Sequence, residues 1–204
     1  MTIATLDGLV SALGNNSSRV VIDKASMSNA VAGGFFSLWR ATGQPGQAAI
    51  PTTAATCDNT LLGSIQFAQQ TAPATSYLGI LEALCTNAGT TLEVHDRLMH
   101  MGGLNGTLLT AQTVNLDLFA SLASDKLDAR KGDANFSDVQ WWMEWYADTG
   151  ATASNATINV TYNDGTSGNL TIQAVGGTIR AARMLPLNSL IPAAGSGKYI
   201  RGIN

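Results

Sequence analysis

Apolar and polar residues alternate along the C-terminal half of this chain with the two-residue period of β-strands. Around Val160 one face carries Ile158, Val160 and Tyr162, and the other carries Asn159 and Thr161. A strand with one apolar and one polar face belongs to an antiparallel sheet that covers a core on one side. The same alternation predicts that Leu170 and Ile172 share a buried face.

Turn residues separate these runs and set the number of strands. Asn163-Asp164-Gly165 predicts a tight hairpin with positive φ at both central residues, and Thr86-Asn87-Ala88-Gly89 predicts a second turn. Many short strands with such turns predict a mainly β fold, either a β-sandwich or a jelly roll. The predicted strands cover residues 62–68, 77–86, 90–96, 113–119, 138–147, 156–163, 168–174, 179–185 and 198–203.

The first fifty residues have a different pattern. Apolar residues at helical spacing predict a helix over 4–13, and residues 26–40 form a weaker helical candidate because Gly33-Gly34 interrupts them. Irregular chain around Pro45 and Pro51 follows. We therefore expect an irregular, partly helical N-terminal arm at residues 1–50, with few contacts to a β-sandwich domain at residues 51–204.

Composition narrows the classes of function. Hydrophobic residues make up 45 % of the 204 residues, which allows a packed core, whereas charged residues make up only 12 %. A net charge of −3 without a basic block gives no electrostatic attraction to nucleic acid or to an anionic membrane. We expect no membrane span and no secretion signal, and hence synthesis in a cytoplasm. There Cys57 and Cys85 are predicted to be buried free thiols.

The segment Glu93 to His100 is the densest group of ionisable residues and raises the question of a metal site. On a strand, His95 would lie on the face of Glu93, whereas His100 would lie on the opposite face with Asp96. Histidines that point in opposite directions are poor ligands for one metal ion. Polar residues at the end of a strand are the favoured interpretation.

The sequence DVQWWMEWYAD at residues 138–148 is the second unusual feature. Alternation predicts a core stripe of Val139, Trp141, Met143, Trp145 and Ala147. It leaves Trp142 and Tyr146 around Glu144 on the face expected to be polar. Aromatic residues in that setting favour a protein interface, since Trp and Tyr dominate binding energies. Stacking on a sugar is the alternative, whereas a lone carboxylate does not make a glycosidase.

No catalytic motif can be singled out, and no cofactor is predicted. The chain has no Gly-x-Ser-x-Gly elbow, and Gly195-Ser196-Gly197-Lys198 lacks the earlier glycine of a phosphate-binding loop and is interpreted as a turn. Without a nucleophile, base or metal set, we expect a protein without enzymatic activity.

The chain resembles structural proteins of tailed bacteriophages over most of its length. The similarity lies in Trp141–Tyr146, the strand–turn–strand at 155–168, Arg183-Met184-Leu185-Pro186-Leu187 and the ending at 194–203. The segments Val21–Ser26 and Phe36–Gly46 are also similar to such proteins.

The resemblance implies a virion component made in the host cytoplasm, with capsid subunits and other copies of itself as partners. A capsid decoration or cement protein that bridges capsid subunits, as a homotrimer or another symmetric oligomer, is the leading hypothesis. Its interface candidates are Trp142, Glu144, Tyr146, Phe36, Trp39 and Arg40. A virion adhesin or carbohydrate-binding module, a tail or neck protein, and a polysaccharide depolymerase are the alternatives.

Overall fold

The fold is mainly β, with several antiparallel sheets and few helices. The computed structural model describes residues 3–16, 20–25, 30–58, 60–65, 78–106, 108, 110–122 and 125–204. Its helices are α1 (Leu6–Asn16), α2 (Leu118–Ser121) and α3 (Asp125–Asp128), with 3-10 turns at Asn188–Leu190 and Ala193–Gly195. Its strands are β1 (Asp23–Lys24), β2 (Phe35–Phe36), β3 (Gly43–Gln44), β4 (Ala55–Thr56), β5 (Met99–His100), β6 (Leu116–Asp117), β7 (Trp142–Glu144), β8 (Asn155–Ala156), β9 (Asn159–Tyr162), β10 (Ser167–Asn169), β11 (Gln173–Ala174), β12 (Arg183–Pro186) and β13 (Ile200–Ile203).

The largest sheet has four strands in the order β10-β9-β13-β6. Its central strand β9 confirms the predicted alternation, because Val160 and Tyr162 are buried whereas Asn159 is exposed. The prediction was wrong for Ile172, which is 62 % exposed although Leu170 is buried. The chain leaves the sheet after β10, so the alternating register does not continue to Ile172.

The predicted hairpin joins β9 to β10, but with a different turn. The amide of Gly165 donates to the carbonyl of Tyr162 at 2.9 Å, and the amide of Tyr162 donates to the carbonyl of Thr166 at 2.8 Å. The positive φ of the loop belongs to Gly165, at +83°. A three-residue loop that ends in a left-handed glycine replaces the expected two-residue turn. Asp164 braces it by accepting from the amide of Thr166 at 3.0 Å.

A second sheet, of three strands, has the order β2-β12-β7. Its strand β2 comes from the predicted N-terminal arm, and Phe36 pairs with Arg183 of β12. Trp39 nearby is only 6 % exposed. The division of the chain at residue 50 stays a prediction, but residues 35–41 make many contacts with the C-terminal strands.

One hydrophobic core is shared by both sheets. It contains β9 and β13 residues of the first sheet together with Val139, Trp141 and Leu187, which flank β7 and β12 of the second. Besides these three flanking residues, its buried members are Val114, Leu116, Leu118, Leu127, Phe136, Val160, Tyr162, Leu170 and Ile200. All of them lie between residues 114 and 200, so the C-terminal half of the chain supplies this core.

Several predicted elements differ from the structure. Helix α1 confirms the first helix, whereas residues 30–40 are not helical, and residues 26–29 lie outside the described part. The strand predicted at 113–119 stops at Asp117 because its carboxylate accepts from the amide of Phe119 at 2.9 Å and caps α2. The strand predicted at 62–68 is absent from its described part, residues 62–65.

The strands predicted at 77–86 and 90–96 were also wrong for the described residues. From 78 to 98 the chain has no strand and no helix, although the predicted turn does occur at residues 86–89. Cys85 in this segment is exposed, against the prediction of a buried thiol, whereas Cys57 is buried as expected. A strand needs a neighbour to complete its hydrogen bonds, and none of the described residues supplies one here.

Candidate functional site

The face of β7 that was predicted to be polar is covered by the chain itself. Trp142 meets Phe35 edge to face, with ring centroids 5.1 Å apart. Further along, Tyr146 lies 5.8 Å from the ring of Trp39. Residues 35–40 therefore cover the face whose aromatic side chains suggested an interface.

A group of five side chains occupies the centre of this face: Trp39, Arg97, His100, Glu144 and Tyr146. We call it the arginine–tryptophan cluster. The guanidinium of Arg97 lies over the Trp39 ring at 4.5 Å, within the range of a cation–π interaction. The Trp39 indole donates to the carbonyl of Leu62 at 2.8 Å, which fixes the ring plane.

Glu144 is the buried acid of the cluster. Its side chain is only 6 % exposed, and its Oε2 accepts from Arg97 Nη2 at 3.2 Å. The other oxygen, Oε1, is buried and has no hydrogen-bond partner among the described residues. Because a buried carboxylate needs a partner, Arg97 is the residue that makes this position tolerable.

His100 packs beneath the same cation. Its ring lies 4.8 Å from Trp39, and its Nδ1 is 3.4 Å from Arg97 Nη1. Burial and the charge of Arg97 lower the pKa of His100 from 6.5 to about 4. His100 is therefore neutral at physiological pH. Tyr146 shifts in the opposite direction, because burial and the charge of the neighbouring Glu144 raise its pKa.

Acid should destabilise the fold through His100. The His100 side chain is protonated below about pH 6.5 in the unfolded chain, but only below about pH 4 in the folded chain. Its contribution to the free energy of unfolding is therefore fully present above pH 6.5 and is lost as the pH falls from 6.5 to 4. The loss should reach up to about 3 kcal/mol. Urea unfolding at a series of pH values would measure it.

The His100→Phe variant keeps an aromatic ring against Trp39 but cannot titrate, so its stability should vary less over this range. The matched control is His95→Phe, since His95 is exposed and contacts Glu93 at 3.0 Å. A His100→Phe variant that retained the full acid-dependent loss would contradict this assignment.

A groove lies against the second sheet, and each of the three strands contributes to its lining. It has a volume of about 510 Å³ and is bordered by Phe35, Trp142 and Tyr199 together with the polar Gln140 and Asn188. The Asn188 side chain is already engaged, since it accepts from the amide of Trp141 and donates to the carbonyl of Val139. Gln140 is exposed on the rim. The groove thus combines aromatic surface with one fixed amide, that of Asn188, and with the charged side chains of Glu93 and Lys198.

The structure brings most of the interface candidates together. Trp39, Arg40, Glu144 and Tyr146 lie in or against the arginine–tryptophan cluster, with Arg40 5.7 Å above the Tyr146 ring. Trp142 borders the groove. Phe36 lies apart from the cluster, in β2. That these residues contact another subunit stays a prediction.

Three residues of the site were missed as binding candidates: Phe35, Arg97 and His100. His100 was considered only as a metal ligand, and Arg97 only as a member of the ionisable segment 93–100. The feature that could have pointed to them is Glu144, because a buried acid requires a cation from a distant part of the chain. Sequence spacing does not show which cation that is.

The remaining chemistry of the segment 93–100 is that of ion pairs. His95 contacts Glu93, and Asp96 pairs with Arg130 at 2.6 Å. Among the described residues, no group of three or more His, Cys, Asp or Glu side chains is arranged to hold a metal ion. None of the helices in the described part of the chain has the length and apolar character to cross a membrane.

Comparison with family models, with curated proteins and with solved structures finds no match to this chain.

Proposed function

We propose that the protein is a structural component of a tailed-bacteriophage virion, most specifically a capsid decoration or cement protein. In this proposal it binds capsid subunits as a symmetric oligomer and has no turnover. The two sheets with their common core form the layers of a β-sandwich, and the N-terminal half, together with the groove at Trp142, forms the contacts with neighbours.

The distribution of exposed apolar residues supports this proposal. Twenty large hydrophobic side chains of the described residues are exposed, and only Phe119 and Ile172 of these lie after residue 108. The core that the two sheets share, by contrast, has its buried members between Val114 and Ile200. With charged residues at 12 %, the N-terminal half presents an apolar surface of the kind that interfaces cover.

Binding to particles tests the proposal. Heads assembled without this chain should bind the purified protein saturably and become more resistant to heat. Trp142→Ala should weaken binding about tenfold or more, since burying one aromatic side chain contributes roughly 1.5–3 kcal/mol. Ile172→Ala, at an exposed site outside the groove, is the control.

Two results would contradict the proposal. Heads that fail to bind the protein would exclude a decoration role. Binding to isolated tails but not to heads would favour the tail or neck alternative.

A virion adhesin or carbohydrate-binding module is the second candidate, and the groove beside Trp142 favours it. Aromatic rings bordered by side-chain amides suit the apolar faces and hydroxyl groups of a sugar. A glycan-binding assay would distinguish it, because Trp142→Ala should then abolish glycan binding and leave particle binding unchanged.

A further inference from the structure

The segment 78–94 has the composition of a strand pair but no partner within the described chain. Residues 78–85 read LGILEALC, which places Leu78, Ile80 and Leu84 on one face beside the single charge of Glu82, and Gly79, Leu81, Ala83 and Cys85 on the other. A strand whose two faces are both largely apolar is typical of one that is covered on both sides. In this structure the segment forms no strand and is exposed throughout residues 78–94.

The exposed area is large enough for a stable contact. Six aliphatic side chains each leave about half or more of their surface in water: Leu78 at 61 %, Ile80 at 71 %, Leu81 at 49 %, Leu84 at 102 %, Leu92 at 49 % and Val94 at 50 %. Together they offer on the order of 600–700 Å² of apolar area, close to the roughly 800 Å² that each partner contributes to a standard interface.

Charge and position favour a second copy of the chain as the occupant. Glu82 is the one charged residue between 78 and 92, so two copies of the segment can approach with little repulsion. The surface also continues onto α1, where Leu13 lies against Gly79. The exposed side chains of Leu6 and Val10 on the same helix extend the apolar area.

We propose that residues 78–85 pair as an antiparallel strand with the same residues of a second copy, which makes residues 78–94 the self-association surface of this protein. Pairing satisfies the backbone hydrogen bonds along one edge of the segment and brings the apolar side chains of the two copies into contact across the pair. This gives a two-fold contact in which each copy contributes the same residues. The inference does not rest on the virion role, because it concerns the isolated chain.

Dissociation of the dimer tests the surface. The chain should sediment as a dimer or larger even-numbered assembly. Leu84→Asp should raise the dissociation constant at least about 100-fold, because the substitution occurs twice in each contact. Ile172→Asp introduces the same charge at another exposed aliphatic site and should leave association unchanged. Both substituted residues are exposed, so the folded chain should survive either change.

The reactivity of the two cysteines supplies a second measurement, which needs no substitution in the chain. Cys85 is exposed within the surface, and hydrogen bonds from the Asn87 backbone and the Thr90 side chain lower its pKa, which favours the reactive thiolate. Cys57 is 2 % exposed, and burial raises its pKa to about 11. Maleimide labelling of Cys85 should slow at least about tenfold as the protein concentration passes the dissociation constant, whereas Cys57 should stay unreactive throughout.

The outcomes separate this inference from the proposed function. A chain that is monomeric at all accessible concentrations, or a dimer in which Cys85 labels at the monomer rate, would overturn the self-association surface. A dimer that is lost in Leu84→Asp supports the surface even if no particle binds the protein, in which case only the virion role fails.

Discussion

Replacement of Trp141 by alanine should lower the free energy of unfolding by about 3–5 kcal/mol, the range of large core truncations. The Trp141 side chain is 8 % exposed and belongs to the core that both sheets share. Its indole donates to the carbonyl of Ile200 at 2.9 Å, which links β13 to the chain beside β7. The variant therefore loses packing and leaves a buried carbonyl without its donor.

Urea unfolding followed by far-ultraviolet circular dichroism would measure this loss. Trp142→Ala is the matched control because the same residue type stands one position further along the chain. Trp142 is half-buried and contacts Phe35 rather than the core, so its loss should be about 1–2 kcal/mol. A larger loss in Trp142→Ala than in Trp141→Ala would mean that the core faces the other side of the strand.

Local pattern was sufficient where an element is defined by its own residues. Helix α1 begins at Leu6 and ends at Asn16, close to the predicted 4–13, because its apolar spacing is a local signal, although the helix continues through Gly14. The alternation around Val160 likewise identified the buried face of β9. The turn at Gly165 was placed correctly, but its type depends on the strand register and differed from the prediction.

Long-range pairing was the part that local pattern could not provide. Alternation correctly separated Trp141 from Trp142, yet the partner of Trp142 is Phe35, more than a hundred residues earlier in the chain. Contacts of that separation depend on the whole fold, since nothing near residue 142 encodes them. The expectation that residues 1–50 form an arm with few contacts to the rest of the chain led away from this contact.

The segment 78–98 also shows that local pattern does not determine which strands pair. Its residues have strand propensity, and the turn at 86–89 occurs where it was predicted. Propensity alone does not form a strand, because an unpaired strand leaves its backbone groups to water. The mismatch between pattern and structure at this segment is what motivates the proposed pairing with a second copy.

Loss of the Arg97 cation should be as damaging as loss of a core tryptophan. In Arg97→Met the side chain of Glu144, 6 % exposed, loses its donor at 3.2 Å and stays buried without a cation beside it. Breaking a buried ion pair from one side costs on the order of 3–5 kcal/mol. The variant also removes the guanidinium from the Trp39 ring, 4.5 Å away. Chemical unfolding at pH 7 would measure the loss.

A double substitution distinguishes an uncompensated charge from simple loss of packing. Arg97→Met combined with Glu144→Met removes both charges and keeps apolar volume, so most of the lost stability should return. Glu144→Met alone should cost less than Arg97→Met, since the Arg97 side chain is 25 % exposed and can reach water. Arg180→Met breaks the Arg180–Asp148 pair, in which both side chains are about half exposed, and should cost less than about 1 kcal/mol. If the losses from Arg97→Met and Glu144→Met simply added in the double variant, the two residues would not act as a pair. In that case the Arg97 side chain would stabilise the fold through its contacts with Trp39 and His100 instead.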